Sequence, residues 1–215
     1  MCVSTGGSDT RTESDRRERR RHAMLDAARK LFVERGYDAV SLSEIVKLSG
    51  GSLATLYELF ENKAGLLGAI VASQRFGTHE KIDAVIERDG APAAMLKEIA
   101  GILIDGFSDP ETLGLIRVVM GETLRDPAFA QSIFEAAHIP SVERLSALFA
   151  DWHAAGRATI PDPMLAVHMF LGLVLHAPQT RALFGESCNP LMLPRDALLR
   201  EATAMFVTRY GIDAA

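Results

Sequence analysis

Arginine is concentrated near the start of the chain. Arg16, Arg17, Arg19, Arg20 and Arg21 lie within one run of six residues. Guanidinium groups bind phosphate through charge and paired hydrogen bonds, so this run can follow a phosphate backbone or reach into a minor groove. The run is equally typical of the solvated start of a helix. The sequence leaves both interpretations open.

The sequence contains no spacing that is typical of an enzyme site. It has no glycine-rich phosphate loop, no Gly-x-Ser-x-Gly elbow, and neither paired cysteines nor a His-Glu-x-x-His metal motif. His168 and His176 are eight residues apart, and the residues between them include no acidic or thiol ligand. We therefore expect neither catalysis nor a bound metal or other cofactor.

A series of short helices is predicted between residues 21 and 67. Apolar residues recur at helical spacing in the first of them, namely Met24, Leu25, Ala28, Leu31 and Phe32. Gly36 follows this helix and predicts its end, because glycine adopts the left-handed conformation that commonly terminates a helix.

Capping residues predict where the next three helices begin. Ser41 and Glu44 have the spacing of a capping box. Gly50-Gly51 permits a tight turn, Ser52 can cap a third, short helix, and Asn62 can cap a fourth. Two short helices joined by about three residues that include glycine are typical of a helix-turn-helix, which places its second helix in the DNA major groove.

This segment resembles the DNA-binding domain of the tetracycline-repressor (TetR) family of bacterial transcriptional regulators. The agreement covers about 47 residues and is in register at Ala27, Ala28, Leu31, Phe32, Gly36, Tyr37, Ile45, Gly50, Ser52, Leu56, Tyr57, Phe60, Lys63 and Leu66. The resemblance implies that Ser41, Tyr57 and Lys63 contact phosphates. It also implies that five residues lie at or near base edges: Ser52, Leu53, Ala54, Thr55 and Glu58.

Three positions depart from the family's pattern. The family usually has a small apolar residue in place of Gly51, a polar or basic residue in place of Leu53, and often His or Tyr in place of Leu59. Leu53 offers only apolar contact to a thymine methyl, and Glu58 repels phosphate unless it accepts from a cytosine amino group. A solvated carboxylate is the alternative for Glu58. A protein-interaction or co-regulatory module with degraded DNA readout is the alternative function.

Charge is unevenly distributed along the 215 residues. The net charge is −5, yet residues 16–35 hold eight Arg and Lys against three Asp and Glu, whereas residues 64–215 hold twelve against eighteen. The positive field is therefore local, as DNA binding requires. We predict a disordered arm over residues 1–15, a DNA-binding domain over residues 16–67, and a ligand-binding and dimerisation domain over residues 68–215.

Composition also indicates the compartment. Cys2 and Cys188 are the only cysteines, which suits a reducing cytoplasm without disulfides. Residues 1–15 lack the apolar segment of a secretion signal. No apolar run reaches the roughly 18 residues that span a bilayer. We expect a cytoplasmic protein that does not associate with a membrane.

Proline and glycine breaks divide the remainder into helices, without the alternation typical of strands. A helix from 63 to about 88 joins the two parts. Further helices are predicted at 92–107, 110–125, 127–155 with an interruption or kink at Pro140, 163–184 and 194–210. The predicted fold is all-α, with an N-terminal three-helix helix-turn-helix domain and a C-terminal helical bundle.

The helix at 163–184 is apolar nearly all round, which is more than a small domain usually buries. With the helix at 194–210 it predicts a dimer interface of four helices, two from each subunit. The TetR resemblance implies the same pairing, and an internal monomer core is the alternative. The interface residues are Leu165, Met169, Gly172, Leu173, His176, Leu198, Ala202 and Met205.

A ligand pocket is predicted in the bundle, because large apolar side chains occur there with a few polar ones that can orient a ligand. The resemblance favours a small apolar or aromatic effector. The candidates, each alternatively an ordinary core or surface residue, are Leu103, Phe107, Arg117, Met120, Phe134, His138, Trp152 and His168. We therefore expect a homodimeric, ligand-responsive transcriptional repressor that binds a palindromic double-stranded DNA operator.

Overall fold

The protein is helical. The structure, a computed structural model, describes residues 9–107, 109–184 and 194–213, without the side chains of residues 9–12, 74–77 and 137. These ranges contain α-helices and no strand, which confirms the predicted all-α fold. The chain forms two compact units that divide between Val71 and Ala72. Both cysteines, Cys2 and Cys188, lie outside the described residues.

From residue 9 onward, where the structure describes it, the N-terminal unit consists of three helices and the start of a fourth. They are α1 (Asp9–Arg35), α2 (Leu42–Ser49), α3 (Leu53–Phe60) and α4 (Lys63–Glu87), which continues into the second unit. Residues 9–15, predicted to be part of a disordered arm, are helical, which corrects that prediction. Arg and Glu have good helix propensity, and Glu18 forms an ion pair with Arg21 on the next turn.

Each helix of this unit contributes side chains to one small core. Ala28 and Phe32 of α1, Ile45 of α2, Leu56 of α3 and Leu66 of α4 are fully buried. Helices α2 and α3 have eight residues each. Helices of this length are unstable alone in water, so burial against α1 and capping hold them in place.

The junction between α3 and α4 is a tight turn at Glu61. The Asn62 N–H donates to the Phe60 carbonyl at 2.6 Å, and Glu61 has φ 63° and ψ −51°. These angles are close to the γ-turn of positive φ, which is rare and strained for residues with a side chain. Asn62 Oδ1 accepts from the Gly65 N–H at 2.8 Å, as predicted for the α4 cap. A Cβ atom at Gly65 would overlap the Phe60 carbonyl oxygen.

In its described residues, the C-terminal unit contains the rest of α4 and six further helices. They are α5 (Pro92–Gly106), α6 (Pro110–Arg125), α7 (Pro127–Ile133), α8 (Ile139–Ala154), α9 (Pro163–Phe184) and α10 (Arg195–Tyr210). A π-helical turn at Phe134–His138 separates α7 from α8, which confirms the interruption predicted at Pro140. Proline cannot donate to the carbonyl four residues earlier, and its ring clashes with it, so a wider turn is favoured here.

Aromatic residues hold α8, α9 and α10 together. The ring centroid of Phe149 lies 5.5 Å from that of Trp152, 6.1 Å from that of Phe170 and 5.4 Å from that of Phe206. Trp152 is 2% exposed and Ala202 is 3% exposed. Both belong to this unit's own core, and the predicted roles, ligand contact for Trp152 and dimer contact for Ala202, stay predictions.

We expect Gly65→Ala to lower the free energy of unfolding by about 2 kcal/mol, because the added methyl group must displace backbone at the end of α3. Gly68→Ala is the matched control on the same helix, since no atom lies within 4 Å of its Cβ position. Alanine there should raise stability by up to about 1 kcal/mol through helix propensity. Denaturant unfolding followed by circular dichroism measures both changes, and equal effects would contradict the close approach at Gly65.

Candidate functional site

Helix α2 begins at a complete capping box. The Glu44 N–H donates to Ser41 Oγ at 3.3 Å, and the Ser41 N–H donates to Glu44 Oε2 at 2.8 Å. Arg35 of α1 also contacts the carboxylate, with Nη1 3.0 Å from Oε1. The sequence-based prediction of this cap is confirmed. Ser41, which the family resemblance places at a phosphate, is exposed at this helix start.

The cap makes the start of α2 dependent on pH. Donation by the Ser41 backbone, then by its hydroxyl, and the nearby Arg35 charge lower the pKa of Glu44. A carboxyl whose pKa is lower in the folded than in the unfolded protein stabilises the fold above its unfolded pKa. That contribution is lost as the pH falls through the folded pKa. The cap is therefore fully effective at neutral pH.

The turn between α2 and α3 lies against a side chain of α1 at position 51. Gly50 ends α2 with φ 75°, and its N–H donates to the Val46 carbonyl at 3.0 Å. A Cβ at Gly51 would overlap the terminal methyl of Met24, a buried residue of α1. The methionine therefore occupies the space that a small apolar side chain at position 51 would need. Part of the family's pattern is replaced here by a side chain from another helix.

Helix α3 begins at Ser52, as predicted. Ser52 Oγ accepts from the Thr55 N–H at 3.1 Å and lies 2.9 Å from Thr55 Oγ1. The two hydroxyls thus meet at the first turn of the helix. Cap bonds of this kind are worth about 1 kcal/mol each. The cap orients two residues that the resemblance places near base edges.

The remaining predicted base-edge residues lie on the outer face of α3, together with Tyr57. Leu56 and Phe60 are buried, whereas Leu53 is 39% and Tyr57 is 52% exposed. Ala54 and Glu58 are exposed beside them. Small and apolar side chains on an exposed helix face allow close approach to a flat or grooved partner surface.

Lys63 is held over aromatic rings at the start of α4. Its Nζ atom lies 4.3 Å from the Tyr37 ring centroid and 5.8 Å from that of Phe32. Cation–π attraction of this kind restricts a flexible ammonium group without neutralising its charge. The contact therefore places a positive charge at the end of α3, where the resemblance implies phosphate binding.

Two residues of this unit were not identified individually from the sequence. Arg17 of α1 forms an ion pair with Glu58 of α3, with Nη2 3.5 Å from Oε1. The arginine run indicates charge but not this partner, which is distant in sequence. Leu48 is 52% exposed near the end of α2. Leu48 lies outside the apolar helix face formed by Leu42, Ile45 and Val46. This spacing could have identified it as an exposed apolar residue.

The predicted ligand residues lie in different parts of the C-terminal unit. Phe134, His138 and His168 are exposed. The His138 ring centroid lies 5.1 Å from that of Phe134 and 6.2 Å from that of His168. Arg117 is also exposed and donates to the Ala182 carbonyl at 2.5 Å. Three further predicted residues are half-buried, namely Leu103, Phe107 and Met120.

The predicted dimer residues lie mostly on the surface of α9 and α10. Leu165 is 55%, Met169 is 54% and Met205 is 59% exposed. Gly172 and His176 are exposed, and Leu173 and Leu198 are half-buried. Leu165 and Met169 form an apolar stripe on one face of α9, and His168 lies on the same face. The aromatic cluster of Phe134, His138 and His168 therefore adjoins this stripe. Within the described residues, no helix is long and apolar enough to cross a membrane.

The first unit is a helix-turn-helix DNA-binding domain. Residues 24–70 match the family model for bacterial regulatory proteins of the tetR family. Residues 94–212 match the model for the C-terminal domain of AefR-like transcriptional repressors. The chain belongs to the TetR family of bacterial transcriptional regulators, which is a non-enzymatic family.

Known relatives agree with this assignment over most of the chain. The repressor ComR of Escherichia coli (strain K12) is 28% identical over 185 residues, which are 84% of this chain and 87% of ComR. A TetR-family regulator from Mesorhizobium loti MAFF303099 has a similar structure, with a TM-score of 0.78, 25% identity, and coverage of 92% of this chain and 99% of that one. The flavonoid-responsive regulator FrrA, at 23% identity, shares the fold with a TM-score of 0.66 and coverage of 90% and 97%.

We expect Lys63→Ala to weaken binding to every DNA duplex by a similar factor, about fivefold, and to lower the slope of log K against log salt by about one. The reason is that an ammonium at a phosphate displaces a condensed counterion regardless of base sequence. Lys97→Ala, which removes an exposed lysine from α5, is the matched control. Fluorescence anisotropy over a salt series measures both quantities. A loss confined to one base position would contradict phosphate contact by Lys63.

Proposed function

We propose that the protein is a homodimeric transcriptional repressor that binds a palindromic operator through α3 and responds to a small apolar or aromatic effector. The observation that supports DNA recognition most directly is the outer face of α3. Leu53, Ala54, Tyr57 and Glu58 are exposed together there, in a helix-turn-helix of the TetR family. A helix at this place in the motif enters the major groove.

The proposed operator contacts are those that the family resemblance implies, and the chemistry of each side chain suits its contact. Ser41, Tyr57 and Lys63 would position the domain on phosphates, because hydroxyl and ammonium groups donate to phosphate oxygens. Ser52 and Thr55 would lie at the groove end of α3. Leu53 would contact a thymine methyl, and Ala54 would permit close approach.

The apolar surface of α9 and α10 supports dimerisation. Leu165, Met169 and Met205 are each more than half exposed, and soluble proteins rarely leave such a stripe open to water. No atom lies within 4 Å of a Cβ position at Gly172, so a partner helix can approach the backbone closely there. A twofold dimer would pair this stripe with itself and present two α3 helices to two half-sites about one turn of DNA apart.

The effector would bind in the C-terminal unit. Leu103, Phe107 and Met120 are half-buried apolar candidates for this contact, and the exposed Arg117 is a polar candidate. Phe134, His138 and His168 supply aromatic contact next to the proposed dimer stripe. An effector bound at either place can alter operator affinity only by favouring one arrangement of the dimer over another.

We expect Gly172→Arg to convert the dimer to a monomer and to weaken binding by more than tenfold to duplexes tiled across the DNA upstream of the gene. The reason is that a large charged side chain would be forced into an apolar seam. Gly121→Arg, on α6 with equally open space around its Cβ position, is the matched control. Sedimentation gives the oligomeric state and gel retardation gives the affinity.

Two outcomes would contradict this proposal in different ways. A Gly172→Arg variant that remains a dimer with full affinity places the interface elsewhere. A wild-type dimer that retards none of the upstream duplexes, at any salt concentration at which it stays folded, overturns operator binding and supports the co-regulatory alternative. The Gly121→Arg control separates the expected loss of the dimer in Gly172→Arg from general damage caused by a surface arginine.

We expect the effector to bind the free protein and the operator complex with different affinities. A molecule that weakens operator binding tenfold must itself bind the complex tenfold more weakly, a coupling of about 1.4 kcal/mol. Trp152 is the only tryptophan, and it reports on the core formed by α8, α9 and α10. Titration of apolar and aromatic compounds with and without operator, followed by Trp152 fluorescence and melting temperature, gives both constants. A compound with equal constants is not the effector.

A further inference from the structure

One face of α1 runs from the buried core of the unit to exposed contacts with α3. Met24 and Ala28 on this face are buried. One turn nearer the N-terminus, the Arg21 guanidinium lies 5.7 Å from the Phe60 ring centroid. A further turn away, Arg17 pairs with Glu58. Positions 17, 21, 24 and 28 recur at helical spacing, so a single helix face passes from apolar packing to a charged contact with α3.

The ion pair contributes little to the stability of the unit. The side chains of Arg17 and Glu58 are 63% and 68% exposed. Exposed pairs are worth between zero and about 1 kcal/mol, because water screens the charges and two flexible side chains must be ordered. The pair also lies outside the buried core, so folding does not require it. The pair matters instead because Glu58 lies on the exposed face of α3.

Glu58 is an acidic side chain on the face proposed to enter the DNA groove. A carboxylate there is repelled by the phosphates unless its charge is compensated or it accepts a bond from cytosine N4. Bound DNA would also exclude water and strengthen every charge interaction at this face. A guanidinium partner is then worth more in the complex than in the free protein.

We propose that Arg17 is a positioning residue for DNA readout, which compensates the charge of Glu58 and directs its carboxylate toward a cytosine amino group. Arg17 contacts one carboxylate oxygen, Oε1. The second oxygen can accept from cytosine N4, so a single carboxylate serves both partners. This inference rests on the proposed binding of DNA by α3. It adds a residue of α1 to the determinants of operator choice.

The proposal predicts that Arg17 and Glu58 act as one unit in DNA binding. Arg17→Ala should weaken operator binding about tenfold, because the negative charge of Glu58 would then repel the DNA phosphates without compensation. In a Glu58→Gln background the same change should cost only about twofold, since no carboxylate remains to compensate. The coupling between the two positions is then about fivefold, and a double-mutant cycle measures it.

The cycle is carried out on the full-length protein with the upstream duplex that wild type binds most tightly, and with variants of that duplex carrying single base-pair substitutions. Arg17→Ala should reduce discrimination at one C·G pair, and Glu58→Gln should reduce it at the same pair. Arg17→Lys should restore most of the affinity, because it returns the positive charge. Circular dichroism should show unchanged helix content and melting temperature in every variant.

Arg19→Ala is the matched control. This substitution removes the same charge from the same run, but Arg19 donates its Nε–H to the Asp15 carbonyl of its own helix, and residues two apart do not share a helix face. Its effect should be identical in the wild-type and Glu58→Gln backgrounds. Strictly additive effects of Arg17→Ala and Glu58→Gln would overturn the proposal and leave Arg17 as an independent phosphate ligand or a solvated residue. If wild type binds no duplex, the proposed operator binding fails instead.

Discussion

The short contact between the end of α3 and the start of α4 is the constraint on which the DNA-binding unit depends. Glu61 adopts positive φ, Asn62 bonds to both Phe60 and Gly65, and Gly65 leaves no room for a Cβ. These bonds set the direction of α3 relative to the first turns of α4. A longer or looser connection would allow an eight-residue helix to change orientation, because so short a helix has little intrinsic stability.

The rest of the unit stabilises the same small helix from its other end and its inner face. The Ser52 cap satisfies the first turn of α3, and Gly50 and Met24 shape the turn before it. Leu56 and Phe60 anchor α3 in the core. Rigid support of this kind matters for recognition, since base contacts depend on side chains being held at defined distances from a groove.

The C-terminal unit combines a closed core with an open apolar surface. Phe149, Trp152, Phe170 and Phe206 fill the interior of the α8, α9 and α10 packing. The opposite side of α9 leaves Leu165 and Met169 exposed. A helix that is apolar on all sides therefore divides its residues between the interior of its own chain and an exposed apolar surface, which we propose as the dimer interface.

Local signals in the sequence were sufficient for most of the secondary structure and for the helix-turn-helix. Caps at Ser41, Ser52 and Asn62 and the glycines at 36 and 50 act within a few residues, so their spacing alone determines where helices begin and end. Long-range packing decided the remainder. The sequence could not assign Trp152 and Ala202 to the core, because periodicity on an apolar helix does not show which side its own chain covers. Arg17 and Glu58 meet only after α1 packs on α3, since no local pattern relates residues so far apart in the chain.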